Sequence, residues 1–73
     1  MTMKTTIEPY EELNDWEDGE WEVKFYLEEG VLVTYVGAGN PDSAITQAQD
    51  RLSHILAAEQ PEEVVVKLKG IYK

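Results

Sequence analysis

The apolar side chains of this chain change their period from two to about 3.6 part-way along it, at Gly37-Ala38-Gly39. Before the glycines, Trp21, Val23, Phe25 and Leu27 alternate with mostly polar neighbours, as on a half-buried strand. Glu28-Glu29-Gly30 reads as a hairpin turn with Gly30 free to take positive φ, and Val31 to Val36 returns as a β-branched second strand. After the glycines, Asn40 is a good N-cap, Pro41 suits the first helical position, and Asp42 complements the positive helix end. Ile45, Ala48, Leu52, Ile55 and Leu56 then follow at helical spacing, with Gln47, Asp50, Arg51 and His54 toward water and Pro61 closing a helix over 41–58. Val64 to Lys69 forms a third strand.

The predicted order is β-β-α-β. The expected fold is two-layer α+β: one helix packed on a three-stranded antiparallel sheet in spatial order 2-1-3. Residues 20–73 make this single domain, and residues 1–19 precede it as an acidic N-terminal segment.

The sheet face away from the helix is harder to satisfy. A three-residue turn points Tyr26, Leu32, Val36 and Val65 away from the helix. A two-residue turn flips the second strand and points Val31, Val33 and Tyr35 away instead. Under either register apolar side chains are left bare. Residues 7–16 are the nearest cover, because Ile7, Tyr10, Leu13 and Trp16 fall three apart and Pro9 suits the start of a short helix. The same stretch also fits an extended arm that a partner captures.

Seventy-three residues allow one domain with a thin core, burying about 60% of the surface the unfolded chain exposes. There is no cysteine, which excludes disulfides, thiolate metal sites and cysteine nucleophiles, and points to a reducing cytoplasm. No apolar run exceeds four residues, so neither a secretory leader nor a membrane span is expected. Charge is lopsided. Residues 1–37 hold ten acids against Lys4 and Lys24, and residues 38–73 hold five against four cations, which gives the net −9. Binding nucleic acid directly through a basic surface is not expected, and a protein partner with a basic surface fits better.

Candidate chemistry is sparse. His54 is the only histidine and falls half a turn away from Ile45, on the solvent side of the helix. Asp15, Glu17 and Asp18 lie close together but lack the ordered spacing of a calcium loop. Gly37-Ala38-Gly39-Asn40 lacks the third glycine of a dinucleotide fingerprint and the Lys-Ser/Thr of a phosphate loop. Ser43 and Ser53 have no base at a recognisable spacing. No enzyme, metal or cofactor is expected. Trp21 belongs to the core by its alternation, whereas Trp16 is the freer tryptophan beside the most acidic loop. The acids themselves admit three readings: a solubilising surface, a dock for a basic protein, or a mimic of DNA begun by Glu20 and Glu22 on one strand face.

The stretch from Trp21-Glu22-Val23-Lys24-Phe25-Tyr26 through Gly37-Ala38-Gly39-Asn40-Pro41-Asp42-Ser43-Ala44-Ile45-Thr46-Gln47-Ala48 resembles small, often uncharacterised accessory proteins of bacteriophages, including phages of actinobacteria. The resemblance implies a phage protein that binds or inhibits a host or defence protein in the bacterial cytoplasm, and it carries no catalytic residues over. A looser similarity is to antitoxin domains of the HicB type, whose Pro-Asp-Leu-Pro-Gly-like segment this chain lacks. The expected function is a non-enzymatic acidic protein-binding module. Its partner-binding residues are Tyr10, Glu11, Glu12, Leu13, Asp15, Trp16, Glu17, Asp18 and Tyr26. The alternatives are a structural protein that dimerises through its exposed sheet face and an antitoxin-like regulatory partner. Monomer and homodimer are both open.

Overall fold

The computed structural model describes residues 3–72. Its elements are β1 (Lys4–Ile7), β2 (Asp18–Leu27), β3 (Gly30–Ala38), α1 (Pro41–Arg51), α2 (Ser53–Ala58) and β4 (Glu63–Tyr72). The fold is α+β, with one main helix on a four-stranded mixed sheet of order β1-β4-β2-β3. The predicted centre of the sheet is present, since β2 lies between β3 and β4 and is antiparallel to both. The expectation of three antiparallel strands is corrected by β1, which pairs parallel with β4 from Lys4↔Glu63 to Ile7↔Val66. Lys4-Thr5-Thr6-Ile7 is four residues of β-branched character without apolar alternation, so periodicity misses it. Residues 1–19 thus contribute a strand to the sheet of the domain they precede.

The hairpin takes the two-residue turn. Leu27 pairs with Gly30, and the ladder runs on through Phe25↔Leu32 and Val23↔Thr34 to Gly19↔Ala38. Gly30 does not use positive φ, nor does any other described residue. It sits in the strand as the partner of Leu27, leaving the turn itself to Glu28 and Glu29. On β4 the register shifts at Glu20/Trp21, so that Leu68 faces Trp21, Gly70 faces Glu20, and Lys69 is the extra residue of a bulge.

The core lies between the sheet and α1. Trp21, Val23 and Phe25 of β2, Val64 and Val66 of β4, Val36 and Ala38 of β3, and Ala44 and Ala48 of α1 are buried. Large side chains rise from the sheet centre, and alanines on the helix let the two layers approach. The Trp21 indole N–H donates to the Ala38 carbonyl at 2.8 Å, so this aromatic is buried without an unpartnered donor. Asn40 caps α1, its side-chain oxygen accepting from the Ser43 N–H at 2.8 Å. The predicted single helix is divided at Leu52, whose φ of −105° and ψ of 20° leave the helical region. The Ile55 N–H also reaches the Leu52 carbonyl at 3.1 Å, a tighter i→i+3 turn at the junction. Leu52 and Leu56 pack on the core, while Ile55 keeps nearly half its surface.

Candidate functional site

Residues 8–17 do not form the expected helix. They run as an irregular strap ending in a turn at Asp15-Trp16. The strap also lies on the opposite side of the sheet from the one expected. Tyr10 meets Trp21 edge-on, with ring centroids 5.1 Å apart and planes at 77°, and Trp21 faces the helix layer. Leu13 packs against the same core and covers Gly19, where an added Cβ would stand 3.1 Å from the Leu13 Cδ1. The strap therefore closes the end of the core that α1 leaves open. Tyr10 and Leu13 are engaged in this packing, and the far face of the sheet stays uncovered.

Apart from the half-buried Glu17, the predicted partner-binding residues divide into three groups. Tyr10 and Leu13 are packing residues of the strap, though Tyr10 keeps part of its surface. Glu11, Glu12, Asp15, Trp16 and Asp18 are exposed, with Trp16 retaining 82% of its surface. Tyr26 points to the uncovered sheet face and does not join them.

Trp16 is displayed on a pinned turn. The Glu17 N–H donates to the Asn14 carbonyl at 2.9 Å. The Glu17 carboxylate accepts from the Asn14 backbone N–H at 3.0 Å and from its side-chain amide at 2.6 Å. Glu17 is thus the brace of the turn, a role its acidity alone does not suggest. Glu12 borders a shallow depression with Gly39 and Asn40, and Asp18 lies beside Gly39. These carboxylates collect around the start of α1, where the helix dipole favours negative charge.

The uncovered face carries Glu20, Glu22, Lys24 and Tyr26 from β2, Val31, Val33 and Tyr35 from β3, Glu63, Val65 and Lys67 from β4, and Lys4 and Thr6 from β1. Val31, Val33 and Tyr35 each keep nearly half their surface. The Tyr35 hydroxyl donates to the Glu22 carboxylate at 3.0 Å, and the Lys24 ammonium lies 3.5 Å from the other oxygen. Partial desolvation opposes ionisation of Glu22. The Tyr35 hydrogen bond, the adjacent Lys24 and the more distant Lys69 outweigh it and hold the carboxyl below its ordinary 4.5. The same hydrogen bond, followed by the charge of Glu22, raises the Tyr35 hydroxyl above its ordinary value. Lys24 and Lys67 interrupt the carboxylate row that DNA mimicry needs.

Two polar residues expected to face only water do more. From α1, the Gln47 amide donates to the Gly37 carbonyl at 3.0 Å and the Arg51 guanidinium to the Tyr35 carbonyl at 2.8 Å. Both carbonyls lie on the side of β3 away from β2, so one helix turn caps two groups of the sheet's outer edge. Their i, i+4 spacing is visible in the sequence, but its target is not.

No protein-family model, curated protein or solved structure matches this chain. Among the described residues, no group of three or more His, Asp or Glu side chains is arranged to hold a metal ion, and no helix is long and apolar enough to cross a membrane. His54 is exposed on α2.

Proposed function

We propose that the chain is a non-enzymatic acidic protein-binding module that presents Trp16 to a basic partner. The observation that carries this reading is an 82% exposed tryptophan on a turn held by three hydrogen bonds. An ordered turn has already lost much of the conformational freedom that binding would otherwise remove, and a displayed tryptophan is a common anchor of protein interfaces. Glu11, Glu12, Asp15 and Asp18 are exposed in the same stretch and supply a negative rim. Such a rim speeds encounter with a basic surface and repels acidic ones. The partner that fits is a protein with an apolar pocket ringed by Lys or Arg. In the setting implied by the likeness to phage accessory proteins, it is a host or defence protein of the bacterial cytoplasm, and occupying its pocket inhibits it.

The test compares the full chain with Trp16→Ala as baits in the same bacterial lysate, at low and high salt. A protein retained by the parent chain, released by salt and lost from Trp16→Ala supports the reading, provided both baits melt alike. Equal recovery on both baits removes Trp16 from the interface.

A further inference from the structure

We propose that the uncovered sheet face is a self-complementary surface that docks a second copy of this chain. The argument begins with charge. The protein carries six Lys and Arg in all. Lys4, Lys24 and Lys67 lie on this face by register, and Lys69 stands at the adjoining bulge. Against them the face holds Glu20, Glu22 and Glu63. A surface close to neutral thus sits on a chain of net charge −9, whose excess acids lie mainly in the strap and around the helix layer. A strongly basic or strongly acidic partner finds no matching field here. A second copy does, and it approaches with its own acid-rich layer turned outward.

The row pattern supplies the complementarity. Across the strands, Tyr35, Glu22 and Lys67 form one row, and Val33, Lys24 and Val65 form the next. A twofold axis running across the strands between these rows sets Glu22 of one copy against Lys24 of the other, and Tyr35 against Val33. That is an isologous contact, in which each residue pair occurs twice. Size permits it: strands of up to about 33 Å in a sheet about 19 Å wide give a face on the order of 600 Å², near the ~800 Å² each partner gives to a standard interface. Edge-to-edge assembly is the less open route. Gln47 and Arg51 occupy the Gly37 and Tyr35 carbonyls on the β3 edge, and β1 ends the other side after four residues.

Sedimentation equilibrium of the full chain, from micromolar concentration to about 1 mM, tests this inference independently of Trp16. The expected result is a monomer–dimer equilibrium that Val33→Asp weakens at least about tenfold without lowering the melting temperature. Lys24→Glu and Glu22→Lys should each weaken self-association, and mixing the two single variants should restore a heterodimer. That rescue separates a charge-matched contact from mere loss of apolar area. Trp16→Ala should dimerise as the parent does. A chain that stays monomeric throughout, or a dimer indifferent to Val33→Asp and Lys24→Glu, overturns the proposal.

Discussion

At the scale of single residues, the most constrained position is Gly19. It is buried beneath the strap, and a Cβ there would stand 2.5 Å from the Leu68 Cδ1 and 3.3 Å from the Gly70 carbonyl. The leucine can rotate away only by disturbing the packing around Trp21, while the carbonyl belongs to the bulged strand. Gly19→Ala should therefore cost about 1–3 kcal/mol, the range for overpacking, as read by urea unfolding. An unchanged midpoint would mean that Leu68 yields freely. Phe25→Ala, by contrast, empties the centre of the core and should cost about 3–5 kcal/mol. Glu22 gives a prediction in pH. Its carboxyl titrates lower in the folded chain than in the unfolded one, so it stabilises the fold above its unfolded value, and that contribution fades as pH falls through the lowered one. Tyr35→Phe removes the leading cause of the lowering. The Glu22 carboxyl followed by NMR should then titrate closer to its ordinary value, and an unmoved titration would assign the effect to the lysines instead.

At the scale of elements, the hairpin, the capped helix and the last strand were all legible, because each writes its own signal. Trp21-Val23-Phe25 has period two, Asn40-Pro41-Asp42 is a chemical start signal, and Val64-Val65-Val66 is β-branched. What the sequence hides is settled between elements. The two-residue turn, which decides whether Val33 or Leu32 faces the helix, follows from strand pairing, not from the Glu-Glu-Gly residues themselves. β1 is visible only once β4 offers it an edge. The edge caps are of this kind too. Each of Gln47 and Arg51 spans from helix to strand, and each bond should contribute about 0.5–1.5 kcal/mol, with the charged one at the upper end. Arg51→Ala should lower stability by that amount and bare the Tyr35 carbonyl on a strand of nine residues. Faster aggregation by light scattering is the expected companion of the lowered midpoint. Loss of stability with no change in aggregation would show that the guanidinium does not protect the edge.

At the scale of the whole molecule, the N-terminal strap decides how far the domain depends on its acidic end. A periodicity of three in Ile7, Tyr10, Leu13 and Trp16 suggested one helical face, yet the four residues serve different tasks. Ile7 ends β1, Tyr10 and Leu13 close the core over Trp21, and Trp16 is displayed almost wholly to solvent. The pattern misled because a tight turn and a packed strap place residues three apart as readily as a helix does. The consequence is testable by deletion. Removing residues 1–16 strips β1 from β4, withdraws Tyr10 from its edge-on contact and uncovers Leu13's place beside Gly19. The aromatic contact contributes about 0.5–1.5 kcal/mol beyond its area, and burial of the leucine about 1.5–3 kcal/mol more. A domain of this length has only about 4–11 kcal/mol in total at the usual stability per residue. The truncated chain should therefore lose most of its stability and melt tens of degrees lower or without a cooperative transition. Tyr10→Ala should fall part of the way, and Trp16→Ala should melt like the parent. If instead the truncated chain melts with the parent, the strap is not part of the core. Tyr10 and Leu13 would then be free to join Trp16 at the partner's surface.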